Sequence, residues 1–428
     1  MRFSSALRTH PAVLAFPVIG LFFTYVFLTS TRNIEPLIAV PWPAQAASYA
    51  VHAPVPMAAA AVAGLAAVEA TRLRALGTWE LGAARATWRI AVQPVLITVL
   101  SLSVLTAGVT AGGLWVVGVP PDLYVLHLMG IVVVLLTAHA VIGFVIGRRL
   151  HALYAAPLVS VAVFIGISFP LGTDSYWAHH VTGSISWVGF GEAYSLSMTA
   201  AAVLPTVCLA LACVVLAGPR RIGVASVAAS LVIAVSGLLG AYGIAKDWRS
   251  IAPAAKGLAP VTCEGGTPEV CLPSAASGHI GEIQAGLADM TARLQARGII
   301  AEKPTRITDI TVADIQQLDT TGEHWTLGGL VPGNADKVLR ENIAIAVVGI
   351  PCERPDWNTL HFNTLWAART TGVESDYLAW LSRETQEFSQ GQSREQLLAE
   401  MAGVSKLSPQ EQKTWYAERL RHACRAGR

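Results

Sequence analysis

The sequence predicts an all-α polytopic membrane bundle of about seven transmembrane helices, joined to a mainly α, minor β, disulfide-stapled soluble C-terminal domain. Three observations predict it. The 428-residue chain is 53% hydrophobic and 14% charged, with mean hydropathy +0.50, too apolar for an ordinary soluble domain. Its charges are unevenly placed: the eleven basic residues before Lys246 are all arginines, and the other nineteen lie from Lys246 onward. The stretch Ile222 to Ala245 runs twenty-four residues without a charge. As a helix it reaches about 36 Å, enough to cross a hydrocarbon core of about 30 Å with some tilt. The expected organisation is a transmembrane domain over 1–246, a linker over 247–262 rich in Ala, Pro and Gly, and an extracytoplasmic soluble domain over 263–428.

Backbone amides in lipid must be paired within the segment, so long uncharged runs here are helices. There are seven: about Pro11 to Leu28, Ala47 to Val68, Ile90 to Val117, Tyr124 to Ile146, Ala152 to Leu171, Ser197 to Ala217, and Ile222 to Ala245. The first leads into a polar stretch with no convincing cleavage site and is expected to be a retained span. With the N-terminus in the cytoplasm, inner segments carry Arg2, Arg8, Arg72, Arg74, Arg85, Arg89, Arg148, Arg149, Arg220 and Arg221, and outer loops carry only Arg32. This positive-inside bias sets a multi-pass plasma-membrane topology, and an odd number of spans leaves the C-terminal domain outside.

The inner loop Thr71 to Arg89 interleaves Trp79, Leu81 and Trp88 with four arginines and Glu80. That composition suits an amphipathic segment on the inner membrane surface, although Gly77 and Gly82 argue against one continuous helix. Two readings stand: a positively charged loop that sets topology, or a docking element for a cytoplasmic partner through Arg72, Arg74, Trp79, Glu80, Arg85, Trp88 and Arg89. The pattern Val68-Glu69-Ala70-Thr71-Arg72-Leu73-Arg74, then Trp79-Glu80-Leu81-Gly82, Ala84-Arg85 and Trp88-Arg89 running into the next span, resembles actinobacterial membrane proteins similar to type-2 ABC transporter permeases. The resemblance implies a permease-like subunit whose first cytoplasmic loop touches a separate ATPase chain. Seven spans and a large C-terminal domain depart from the usual six-span permease. The extracytoplasmic region of the same group is also resembled by Thr262-Cys263 through Val270-Cys271-Leu272-Pro273, with no function carried across.

Polar residues inside spans are the usual place to seek a translocation path, and they are few. His139, near the middle of the fourth span, is either a hydrogen-bonded packing residue or a pathway residue for substrate or protons. Cys208 and Cys213 in the sixth span read as small packing residues. The outer loop Gly172 to Tyr194 holds Asp174, His179, His180 and Glu192 among aromatics. An interfacial aromatic belt explains it better than a metal site, and no metal or other cofactor is expected.

Beyond the linker stand Cys263, Cys271, Cys352 and Cys424. Outside the cell they suggest two disulfides. Spacing favours Cys263 with Cys271, closing a hairpin around Glu264-Gly265-Gly266, and Cys352 with Cys424. From His279 to Arg297 apolar positions recur at three and four residues and Gly298 follows as a stop, which predicts a core-facing helix. Pro304 to Val312 alternates like a strand. Further helices are expected at Asn334 to Gly349, Trp357 to Ala368, Ser375 to Phe388, Arg394 to Met401, and from Ser408-Pro409-Gln410-Glu411, a capping box, to about Ala426.

No glycine frame precedes Lys413-Thr414, so no phosphate-cradling loop is present, and neither His-Glu-x-x-His nor Gly-x-Ser-x-Gly occurs. No catalytic residue is expected, and a formal charge of +2 gives no reason to expect nucleic acid. The partners expected are membrane lipid, an ABC ATPase subunit and a second copy in a homodimer. The alternative to a permease is a membrane-anchored extracytoplasmic binding or sensing protein.

Overall fold

The computed structural model describes residues 10–30, 40–78, 87–173, 175–217, 223–249, 251–313, 323–328, 330, 335–348, 357–384 and 394–422. The chain forms two compact units, Met1–Leu258 and Ala259–Arg428. Their boundary falls inside the stretch 247–262.

The first unit contains α1 (Pro11–Ser30), α2 (Pro43–His52), α3 (Pro54–Ala75), α4 (Thr87–Val117), α5 (Leu123–Arg149), α6 (Ala152–Ser168), the short α7 (Tyr176–Val181), α8 (Leu196–Ala217) and α9 (Val224–Ala245). Among the described residues, seven helices are long and apolar enough to cross a membrane. Six lie where hydropathy puts them. The second differs: the run expected as one span over Ala47 to Val68 is split into α2 and α3 at Ala53, and the spanning helix is Pro54–Ala75. Pro54 has no N–H to give to a helix preceding it, so it is suited to the first turn of a new one. At the other end α3 stays helical past Val68, where Glu69, which is buried, and Arg72, three residues on, form an ion pair at 2.8 Å.

This helix is also the centre of the bundle: 78% of its apolar window is buried, against 17% for α1 and α9. Alanine makes that possible, because small side chains let neighbouring backbones approach where lipid provides no hydrophobic drive. Gly143 and Gly147 of α5 lie against the backbone of Ala63 and Ala67; a Cβ added at either would sit 2.0 or 2.3 Å from a carbonyl oxygen. On another side Ser160 of α6 donates to the Ala60 carbonyl at 3.0 Å, beside Gly64. In α8, Cys208 meets Gly237 of α9 in the same close manner, which accounts for a small residue there.

Residues 252–258 pack against the segment 191–195 within the unit. Ala193 and Ala255 exchange backbone hydrogen bonds at 2.9 Å, the Leu258 N–H donates to the Gly191 carbonyl, and Ser195 donates to the Pro253 carbonyl at 2.8 Å.

The second unit opens with β1 (Val261–Glu264) and β2 (Glu269–Pro273), an antiparallel hairpin in which Cys263 faces Cys271 and the two are disulfide-bonded. Gly265 turns the hairpin at φ +102°, a conformation that side chains oppose. Next come α10 (Ile280–Ala296), β3 (Arg306–Asp309), β4 (His324–Leu327), α11 (Ala335–Ala346), α12 (Trp357–Thr371), α13 (Glu374–Glu384), α14 (Arg394–Val404) and α15 (Pro409–His422). The sheet order is β1-β2-β3-β4, with β3 parallel to both neighbours. Strand β4 is not foreseen from the sequence. Its register is held by Asp309, fully buried, which accepts from the Leu330 N–H at 3.0 Å and from Thr311.

The predicted stripe Ile280, Ile283, Leu287, Met290 and Leu294 is buried in the core of this unit, and Gly298 ends α10 at φ +69°. Phe362 and Trp366 of α12 pack edge-on against Trp415 of α15 at 5.0 and 6.1 Å. The capping box forms: the Ser408 N–H donates to Glu411 at 2.7 Å and the Glu411 N–H to Ser408 at 3.4 Å. Cys352 and Cys424 lie outside the described residues, and so does their expected bond.

Candidate functional site

The expected docking residues separate into three groups. Arg72 is bound side-on by Glu69, its Nε and Nη2 donating at 2.8 and 2.9 Å. Arg74 donates to the carbonyls of Arg149 and Leu150 at 3.2 and 2.9 Å, where α5 ends. Arg148 and Arg149 repeat the arrangement on α8, donating to Ala217 and Leu216 at 3.2 and 3.0 Å. A helix C-terminus leaves carbonyls without intrahelical partners and carries partial negative charge, so an arginine from a neighbouring helix is a natural complement. Trp79, Glu80 and Arg85 lie outside the described residues. Trp88 and Arg89 fall in the first turn of α4, with side chains outside the description.

His139 is buried on α5 with Nδ1 2.8 Å from the Leu135 carbonyl one turn earlier, so its Nδ1–H tautomer is satisfied within its own helix. Its neighbours on that face, Ala138 and Ile142, pack with Ala210 of α8. In the loop Gly172 to Tyr194, His179 and His180 turn apart: their Nε2 atoms lie 2.8 Å from the Thr173 and Arg249 carbonyls respectively, and their ring centroids are 6.3 Å apart. Glu192 accepts from the Gly189 N–H at 2.7 Å. Among the described residues no three His, Cys, Asp or Glu side chains gather as a metal site. The loop's aromatics instead pack against the α2 region, Trp187 stacked on Tyr49 at 5.0 Å and Phe190 edge-on to Trp42 at 5.9 Å.

The second unit holds a feature the sequence does not announce. Three arginines meet around an open cleft of about 420 Å³. Arg293 and Arg297, four residues apart at the end of α10, share one face of that helix. Arg369 comes from α12 with Trp366 and Thr370; Ser405 and Gln412 complete the wall from the end of α14 and from α15. Two of the guanidinium groups carry a carboxylate. Arg293 donates to both oxygens of Asp289 at 3.1 and 2.9 Å, and Arg369 to both oxygens of Glu374 at 2.8 and 2.7 Å. Arg369 also donates to the Ser405 hydroxyl at 2.6 Å.

Arg297 differs. It donates through Nη1 to the neutral Gln412 Oε1 at 2.6 Å, lies 6.0 Å from the centre of the Trp366 ring, and pairs with no carboxylate among the described residues. Gln412 is itself fixed, because its Nε2 donates to the Leu407 and Val404 carbonyls at 2.9 and 3.3 Å. Trp366 is buried and its Nε1 has no acceptor among the described residues. Among the described residues the cleft therefore presents three guanidinium groups, two carboxylates paired with them, and one guanidinium without a carboxylate. It can hold an anion.

Compared with known proteins, the chain matches no protein-family model, no curated protein and no solved structure. Its seven apolar helices fit a polytopic membrane protein. The signal for the cleft was present only in fragments. The Arg293 and Arg297 pair at the end of an amphipathic helix is visible in sequence, but Arg369 and Gln412 join it from far along the chain.

Proposed function

We propose that this is a membrane-anchored binding protein, whose spans hold a soluble unit that captures an anionic ligand in the arginine cleft. The single supporting observation is Arg297, a guanidinium set among two ion-paired arginines and itself paired, among the described residues, with a neutral amide. Leaving one positive charge uncompensated beside two others costs self-repulsion, and an anion removes that cost. The bundle supports an anchoring role: its central helix is packed by alanine and glycine, and its buried histidine is satisfied locally.

A second reading, the permease-like subunit working with a separate ATPase, rests on the sequence of loop 71–89 and on Arg72, whose side chain is 35% exposed at the end of α3. One preparation separates the two. The full chain purified in mild detergent, alone, shows saturable thermal stabilisation by small anions at constant ionic strength if the first reading holds. The second requires an ATPase to co-purify in fixed ratio and to be lost when residues 79–86 are deleted. A chain indifferent to every anion tested refutes the binding reading.

A further inference from the structure

Within that reading of the cleft as the ligand site, we infer that the ligand is a small monocarboxylate with a polar, uncharged body. Arg297 meets its carboxylate, and Arg293 and Arg369 are positioning residues held for it by Asp289 and Glu374.

Charge is the first argument. Among the described residues the cleft's three guanidinium groups are offset by two paired carboxylates, Asp289 and Glu374, so one negative charge balances the remaining one. A dianion such as phosphate brings a second negative charge toward Asp289 and Glu374 with no further guanidinium to receive it. Donor geometry is the second. Gln412 occupies Nη1 of Arg297 and cannot turn away, because its amide nitrogen is held by two carbonyls. That leaves Nε and Nη2 of Arg297, the parallel donor pair that a planar carboxylate accepts two-pronged. Size and lining are the third. About 420 Å³ far exceeds a carboxylate group, and the rest of the wall includes the Thr370 and Ser405 hydroxyls and the Gln412 amide rather than a further charge.

The test is calorimetric titration of the full chain in detergent, at fixed pH and ionic strength, with N-acetylglycine as the probe. N-acetylglycinamide, succinate and inorganic phosphate are the comparators. The expected result is saturable binding of N-acetylglycine, no binding of the uncharged amide, and weaker binding of both dianions. Arg297→Gln should weaken N-acetylglycine at least tenfold, the scale of a lost hydrogen-bonded charge. Arg297→Lys, which keeps the charge and loses the fork, should fall between, with both variants checked for an unchanged unfolding temperature without ligand. Tighter binding of phosphate or succinate overturns the monocarboxylate assignment and leaves the cleft reading intact. Binding of N-acetylglycine that Arg297→Gln and Arg297→Lys do not alter overturns the role of Arg297. Failure of all the anions to bind overturns both.

Discussion

Arg74 and Arg297 carry the same guanidinium to different acceptors, and the acceptor decides the role. Arg74 meets helix-end carbonyls, so it ties α3 to α5. Arg297 meets a neutral amide at the rim of an open cleft, so it keeps most of its charge available. Histidine follows the same logic in the second unit. Burial holds the His361 imidazole below its ordinary value of 6.5, beside the Tyr377 hydroxyl at 2.9 Å from Nδ1. The folded state thus resists the proton that the unfolded chain accepts, and this group's contribution to stability is full above pH 6.5 and falls as pH drops below it. Thermal unfolding of the full chain between pH 7.5 and 5 should show the second unit losing stability on acidification. His361→Gln should flatten that dependence, and an unchanged slope in the variant would contradict the assignment.

Helix packing in the first unit depends on where glycine lacks a side chain rather than on how many glycines there are. On α5, Gly143 and Gly147 face the Ala63 and Ala67 backbone, whereas Gly130 of the same helix has nothing within 4 Å of where a Cβ would stand. Alanine at Gly147 must push two backbones apart, an overpacking cost of about 1–3 kcal/mol. Alanine at Gly130 meets no such contact and gains helix propensity, up to about 1 kcal/mol. Thermal unfolding in detergent should therefore show Gly147→Ala destabilised and Gly130→Ala unchanged or slightly stabilised. Equal behaviour of the two variants would mean that α3 and α5 do not pack through this seam. The sequence displays both glycines alike, since nothing local tells which one a neighbouring helix will approach.

At the scale of the whole molecule, arginine placement predicts the side of the membrane on which the second unit works. Arg74, Arg148 and Arg149 cluster at one end of the bundle, where their hydrogen bonds join the ends of α3, α5 and α8. The positive-inside rule predicts that end in the cytoplasm and the second unit outside, an expectation that labelling tests. A cysteine introduced at exposed Glu302, in a chain whose free Cys208 and Cys213 are replaced by serine, should be labelled in intact cells by a membrane-impermeant maleimide, above the level of the parent chain. Labelling only after lysis would invert the topology and move the ligand site to the cytoplasm.

Sequence alone was enough for the seven apolar helices, the division into an apolar and a charged half, the Cys263 and Cys271 hairpin, the α10 stripe and the Ser408 cap. Each depends on neighbours in the chain: a run long enough for a bilayer, a three-to-four periodicity, two cysteines across a tight turn. Only the tertiary structure decided that Pro54 starts the second spanning helix after a separate short one, that α3 lies at the centre, and that β4 joins a mixed sheet parallel to β3. It alone brought Arg293, Arg297, Arg369 and Gln412 together. Those outcomes rest on contacts between residues far apart in the chain, whose energies depend on which backbones can approach and on which charges find partners. No window of sequence contains either quantity.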